Sequence, residues 1–124
     1  MHVIICGGRN HPSFGYKEYE YLDQLLSTHT ISEVITGGAT GADTWADYWA
    51  ASRQVERVVF FPSWIKHGKA AGPLRNEKML RYLVQCLDEK GLIAFPGGRG
   101  TAHMVSLARN ISAKIFLFPS LEAQ

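Results

Sequence analysis

Short apolar runs alternate with longer stretches of helical spacing along the whole chain, and no other feature narrows the possible folds as far. The runs are HVIIC (2–6), SEVIT (32–36), RVVFFP (57–62), GLIAF (91–95) and KIFLF (114–118). The first is evenly apolar, as a strand buried on both faces of a sheet must be. Between the runs, 16–28 puts Tyr19, Leu22, Leu25 and Leu26 on one helical face, and 41–53 does the same for Ala42, Trp45, Ala46, Trp49 and Ala50. Residues 63–72 are polar and glycine-bearing and read as a loop. Pro73 suits a first helical turn. Leu80, Leu83, Val84 and Leu87 continue that stripe to about Glu89, where Gly91 ends it. A last helix spans 101–110, and 119–124 reads as a loose tail. Strand–helix alternation over 124 residues predicts a single α/β domain, Rossmann-like and three-layered, with a mainly parallel sheet of five strands. Right-handed crossovers from a central first strand suggest the order 3-2-1-4-5.

Glycines close three of the five runs. CGGRN (6–10) follows the first, TGGATGAD (36–43) the second and PGGRGTAH (96–103) the fourth. In a parallel sheet all three turns fall at the carboxyl edge, where open α/β folds bind their ligands. The second and third turns open helices, whose first N–H groups are unpaired and carry partial positive charge. Glycine lets a phosphate approach such groups with no Cβ in the way. Any one of these turns is explained equally well by backbone geometry or close helix packing. Their convergence favours an anionic, nucleotide-like ligand on phosphate-binding loops. The candidates are Gly7, Gly8, Arg9, Gly37, Gly38, Thr40, Gly41, Asp43, Pro96, Gly97, Gly98, Arg99, Gly100 and Thr101. Neither a GxGxxG fingerprint nor a GK[ST] loop is present.

Individual side chains leave alternatives. Thr40 and Asp43 have capping-box spacing, and Asp43 could instead bond a ligand hydroxyl such as a ribose. Arg9 and Arg99 could clamp a phosphate or point into solvent. Arg75 and Asn76 could reach over the pocket or join a surface ion pair. Trp45 and Trp49 read as core or subunit contact, Trp64 as a ligand lid, and His67 as a solvated loop histidine.

The net charge of +2 comes with no basic stripe, so nucleic acid is not an expected partner. Cys6 and Cys86 read as reduced, buried thiols, which fits a reducing compartment. Cys and His show no metal-ligand spacing, so neither a metal nor a cofactor is expected. No segment reaches transmembrane length, no basic leader precedes the first apolar run, and a cytoplasmic location is expected.

The succession GGR, GGATGAD, FPSWIKHGKAAGPLRNEKM, FPGGRGTAHM resembles the SLOG superfamily of Rossmann-like proteins, and within it the YspA/YpsA-like group of small stand-alone domains, over nearly the whole chain. The resemblance implies a nucleotide-derived ligand and a homodimer or larger homo-oligomer formed beside the pocket. The sister LOG branch consists of phosphoribohydrolases that cut the N-glycosidic bond of a nucleoside monophosphate. Arg75 and Met79 match one part of the LOG motif, and Pro96, Gly97, Gly98, Gly100 and Thr101 match the other. The LOG glutamate is Met104 here. A carboxylate stabilises oxocarbenium character or activates water, and a thioether does neither. His103 could act as a base but lies about 100° around the helix. Arg75, Asp43 and His103 are therefore catalytic candidates only if the chain is an enzyme. A third branch, the DprA-like proteins, binds single-stranded DNA; the weak net charge and the lack of a basic, aromatic-interleaved patch argue against that role here. The reading favoured is a binding module for a phosphorylated nucleotide derivative that senses, carries or sequesters it, ahead of hydrolase and DNA binder.

Overall fold

The structure, a computed structural model, describes residues 1–124. Five strands, β1 (His2–Cys6), β2 (Glu33–Thr36), β3 (Glu56–Val59), β4 (Lys90–Ala94) and β5 (Lys114–Leu117), form one sheet in the order β3-β2-β1-β4-β5. Every pairing is parallel. Both the fold class and the strand order follow the sequence expectation.

Side chains alternate between the faces of a strand, and the core divides accordingly. Val3, Ile5, Val34, Ile93 and Phe116 face α1 (Tyr16–His29) and α2 (Ala42–Ser52). Ile4, Cys6, Ile35, Leu92 and Ile115 face α4 (Ala71–Gln85) and α5 (Arg99–Asn110). β1 is central, with the chain crossing one way to β2 and the other way to β4. The point where direction reverses lies between β1 and β4.

Several boundaries move. Residues 63–72 are not an irregular loop. They form α3 (Trp64–His67), a 3₁₀ turn (Gly68–Ala70) and the start of α4. Pro73 remains in the first turn, where its missing N–H costs nothing, but the helix begins before it. α4 ends at Gln85, because Cys86 is extended (φ −69°, ψ 139°). Gly91 therefore caps no helix; it stands inside β4, where a Cβ would meet Met1 Sδ at 2.8 Å. α5 begins two residues earlier than expected, which brings Gly100 into its first turn. The third strand stops at Val59 and leaves Phe61 74 % exposed. Residues 119–124 are tied down rather than loose: Gln124 N donates to Ile115 O at 2.8 Å, and Tyr21 Oη donates to Ser120 O at 2.8 Å.

Trp49 is fully buried beneath β1 and β2, with Nε1 donating to Asp23 at 2.8 Å. It belongs to the core and presents nothing to another subunit. Trp45, on the same helix, is half-buried beside the exposed Tyr48. No helix is long and apolar enough to cross a membrane.

Candidate functional site

The three glycine turns converge at the carboxyl edge around a cleft of about 520 Å³ beside the β1/β4 switch point. Gly7, Gly8 and Arg9 line it from the first turn, Gly37 and Asp43 from the second, and Gly98, Arg99, Gly100 and Thr101 from the third. Arg75, Asn76 and Met79 close it from α4, and His103 from α5. The expected residues Gly38, Thr40, Gly41, Pro96 and Gly97 do not line it.

Thr40, Gly41, Pro96 and Gly97 lie where the turns meet one another. Gly8 N donates to Pro96 O at 2.8 Å, and Ala42 N donates to Gly8 O at 3.1 Å. Thr40 Oγ1 donates to Arg9 O at 3.2 Å. Gly41 has φ +77°, and a Cβ there would strike the carbonyls of Gly8 and Arg9. At Gly97 a Cβ would lie 2.8 Å from Gly8 N, and at Gly38 it would enter the Phe61 ring. At Gly41 and Gly97 glycine serves the close approach of one turn's backbone to another's.

Gly98 and Gly100 are different. Both are exposed, and a Cβ at either would meet nothing within 4 Å. Neither has positive φ. Packing therefore gives no reason for glycine, and the absent side chains leave the approach to the start of α5 unobstructed. No side chain caps that helix, and its first turn carries no acid. The first N–H to bond back is Ala102, to Gly98 O at 3.0 Å. The donors ahead of it face the cleft mouth as an anion-receptive end.

Cations surround that end. Arg9, Arg99 and Lys69 line the cleft, and the Arg9 guanidinium lies 5.0 Å from the Trp64 ring centroid. Trp64 thus sits at the rim, 45 % exposed, as a lid residue would. His67 does not reach the cleft. Arg75 is half-buried, and burial lowers its pKa from the ordinary guanidinium value. It donates through Nη1 to Gly37 O and through Nε to Asn76 Oδ1 at 2.9 Å. A Cβ on Gly37 would collide with this guanidinium.

That contact settles the neighbouring protons. An arginine Nε–H can only donate, so the Asn76 atom facing it is Oδ1. Asn76 Nδ2 is then the donor toward Gly100 O at 3.3 Å and His103 Nδ1 at 3.1 Å. His103 Nδ1 must accept, which puts the imidazole proton on Nε2. The histidine is brought to the cleft wall despite its expected displacement around the helix, while Met104 beside it is buried. Sequence reasoning missed Cys6, Ala39, Lys69, Gly72, Pro73 and Met104 as lining residues. Lys69 and Gly72 followed from recognising that 63–72 is helical; the others are adjacent to motif residues.

Asp43 is the cleft's only carboxylate. It forms no capping box: Oδ2 accepts from Gly37 N and Ala39 N, both at 3.2 Å, and shapes the second turn. Burial is the main cause that raises its pKa from 3.8 to about 6, against the two backbone donors and Arg75. The folded protein thus holds this proton more tightly than the unfolded chain. The group's contribution to stability is fully present below about pH 4 and is lost as pH rises to about 6. In Asp43→Asn the amide oxygen can accept the same two bonds without the charge. Urea unfolding across pH 4–7 is expected to show the variant gaining on the parent between about pH 4 and 6 and level above that. Parallel stability curves would refute the assignment. Burial also raises the Cys6 thiol, so Cys6 lines the cleft as an inert group.

A family model described as the YspA, cpYpsA-related SLOG family matches residues 1–67, which include the first two glycine turns. The third turn lies beyond the matched residues. No curated protein matches the chain.

Proposed function

Because this chain belongs to the YspA, cpYpsA-related SLOG family, we propose that its carboxyl-edge cleft binds a phosphorylated, nucleotide-derived ligand. A nucleotide, a nucleotide-sugar or an ADP-ribose-type molecule has the required chemistry, and the protein acts as its sensor, carrier or sequestering agent. The observation that carries this reading is the open start of α5. Gly98 and Gly100 leave it unobstructed with no packing reason to do so, beside Arg9, Arg99 and Lys69. A phosphate seats on the free N–H groups, and the arginines neutralise it. The Trp64 face offers a stacking surface for a base. A cleft of about 520 Å³ falls within the roughly 300–1,000 Å³ range of small-molecule sites.

Binding is favoured over glycosidic cleavage. Asp43, the one carboxylate at the cleft, is committed to two backbone N–H groups, and Met104 replaces the glutamate of the LOG motif. His103 Nδ1 is engaged by Asn76 at 3.1 Å. Association into a homodimer or larger oligomer through the Trp45–Tyr48 surface of α2 completes the reading.

Mass spectrometry of small molecules released on denaturation gives the ligand class directly. Calorimetric titration then compares AMP, ADP-ribose and adenosine. The phosphorylated compounds are expected to bind at least about tenfold more tightly than adenosine, since charge-assisted hydrogen bonds contribute about 1.5–3 kcal/mol each. No base should be released on prolonged incubation. Equal affinity for adenosine would sink the phosphate-site reading, and free adenine would move the protein to the hydrolases.

A further inference from the structure

The opposite edge of the sheet carries a second group of side chains that the cleft does not explain. β1 and β2 pair with His2 directly beside Glu33. By strand alternation both point to the α4 face, one step beyond Ile4 and Ile35. α4 runs back against the strands, so its end delivers Cys86 to the same place. One donor atom from each of His2, Glu33 and Cys86 lies within 4.8 Å of the others, and all three residues are half-buried.

We propose that His2, Glu33 and Cys86 form a site for a thiophilic divalent transition-metal ion of the Zn²⁺ class, with the fourth position open to water. Four features of the cluster suit that chemistry. Imidazole, carboxylate and thiolate are the donor types such ions take, and three protein ligands plus water is an established coordination pattern. His2 Nε2 stands 3.7 Å from Glu33 Oε1. Metal–ligand bonds of about 2.0–2.3 Å place tetrahedral donors roughly 3.3–3.8 Å apart, so this pair needs no rearrangement. The Cys86 sulfur lies within 4.8 Å of both donor atoms. Asp88 hydrogen-bonds His2 Nδ1, the carboxylate–histidine arrangement that fixes a ligating imidazole with Nε2 toward the metal. Tyr82 Oη likewise donates to Glu33 Oε1 at 2.8 Å and orients that carboxylate.

The Cys86 thiol donates to Tyr82 O at 3.4 Å and so carries its proton. Binding replaces that proton: a sulfur–metal bond forms, the S–H bond breaks, and the proton leaves to solvent.

The test titrates the full chain, free of any affinity tag, with Co²⁺ and then Zn²⁺. One equivalent of Co²⁺ is expected to produce thiolate-to-cobalt charge-transfer absorption, which Zn²⁺ bleaches. Cys86→Ser should abolish the absorption. Asp88→Asn, which touches no metal, should weaken binding about 10–100-fold by releasing the imidazole. The variants replace groups at the protein's edge, and circular dichroism verifies that each remains folded. A flat titration overturns the proposal, as does Co²⁺ bound without sulfur absorption and equally well by Cys86→Ser and His2→Gln.

Discussion

Gly98→Val is expected to lower affinity for a nucleoside monophosphate by at least about 100-fold while changing stability by no more than about 1 kcal/mol. The Cβ of residue 98 would enter open space, so nothing in the folded protein is displaced. The φ of −104° at this residue lies outside the left-handed region that favours glycine. The folding cost is that of a poor N-cap residue replacing a tolerated one. The branched side chain instead occupies the approach to the first N–H groups of α5. Losing one or two charge-assisted hydrogen bonds there removes about 3 kcal/mol of binding, or two orders of magnitude. Calorimetry against AMP and urea unfolding on the same preparations read the two effects separately. Affinity within threefold of the parent would place the phosphate elsewhere.

Trp49→Ala is expected to have the reverse profile at the core, with a loss of about 3–5 kcal/mol of stability. Trp49 is the largest side chain with no exposure, wedged among Val34, Leu22 and Ala46. Truncation removes its transfer energy and opens a cavity that strands on one side and α1 on the other cannot both collapse into. It also removes the Nε1 donor from Asp23, which keeps its Arg53 partner at 2.8 Å. A domain of this size has a total stability of roughly 5–15 kcal/mol, so a third or more is at stake. Equilibrium urea unfolding measures it. A loss below about 1 kcal/mol would mean that the pocket refills. Trp64→Ala, at a site 45 % exposed, serves as the contrast, with little effect on stability.

The layered frame was legible because both of its determinants are local. Apolar runs of four or five residues mark strands, and their alternation with helical stripes leaves few topologies. The turns were legible as positions but not as roles. Gly41 and Gly98 look alike in the sequence, yet a Cβ at the first would strike the carbonyls of Gly8 and Arg9 and at the second would meet nothing. That difference depends on what crosses from another loop. For the same reason Asp43, which has capping-box spacing, turned out to shape its own turn. Residues 63–72 were misread because polarity was taken for irregularity. The short helix at 64–67 buries no side chain and so needs no apolar stripe. His103, whose helical angle points it about 100° from residue 104, nevertheless meets Asn76 at the cleft wall. The cluster of His2, Glu33 and Cys86 left no trace as a spacing, since strand register and a helix end assemble it from three distant segments.

The three turns are fastened largely through main-chain atoms: Gly8 N to Pro96 O, and Gly8 O to Ala42 N. A frame written in amides is indifferent to most substitutions around it. Arg9, Lys69, Arg99 and Trp64 hold none of these backbone bonds, and a lineage can exchange them without losing the cradle's shape. Selection on such a scaffold acts separately on its two parts, so the glycines that fasten the turns can persist while the recognised molecule drifts from one phosphorylated compound to another.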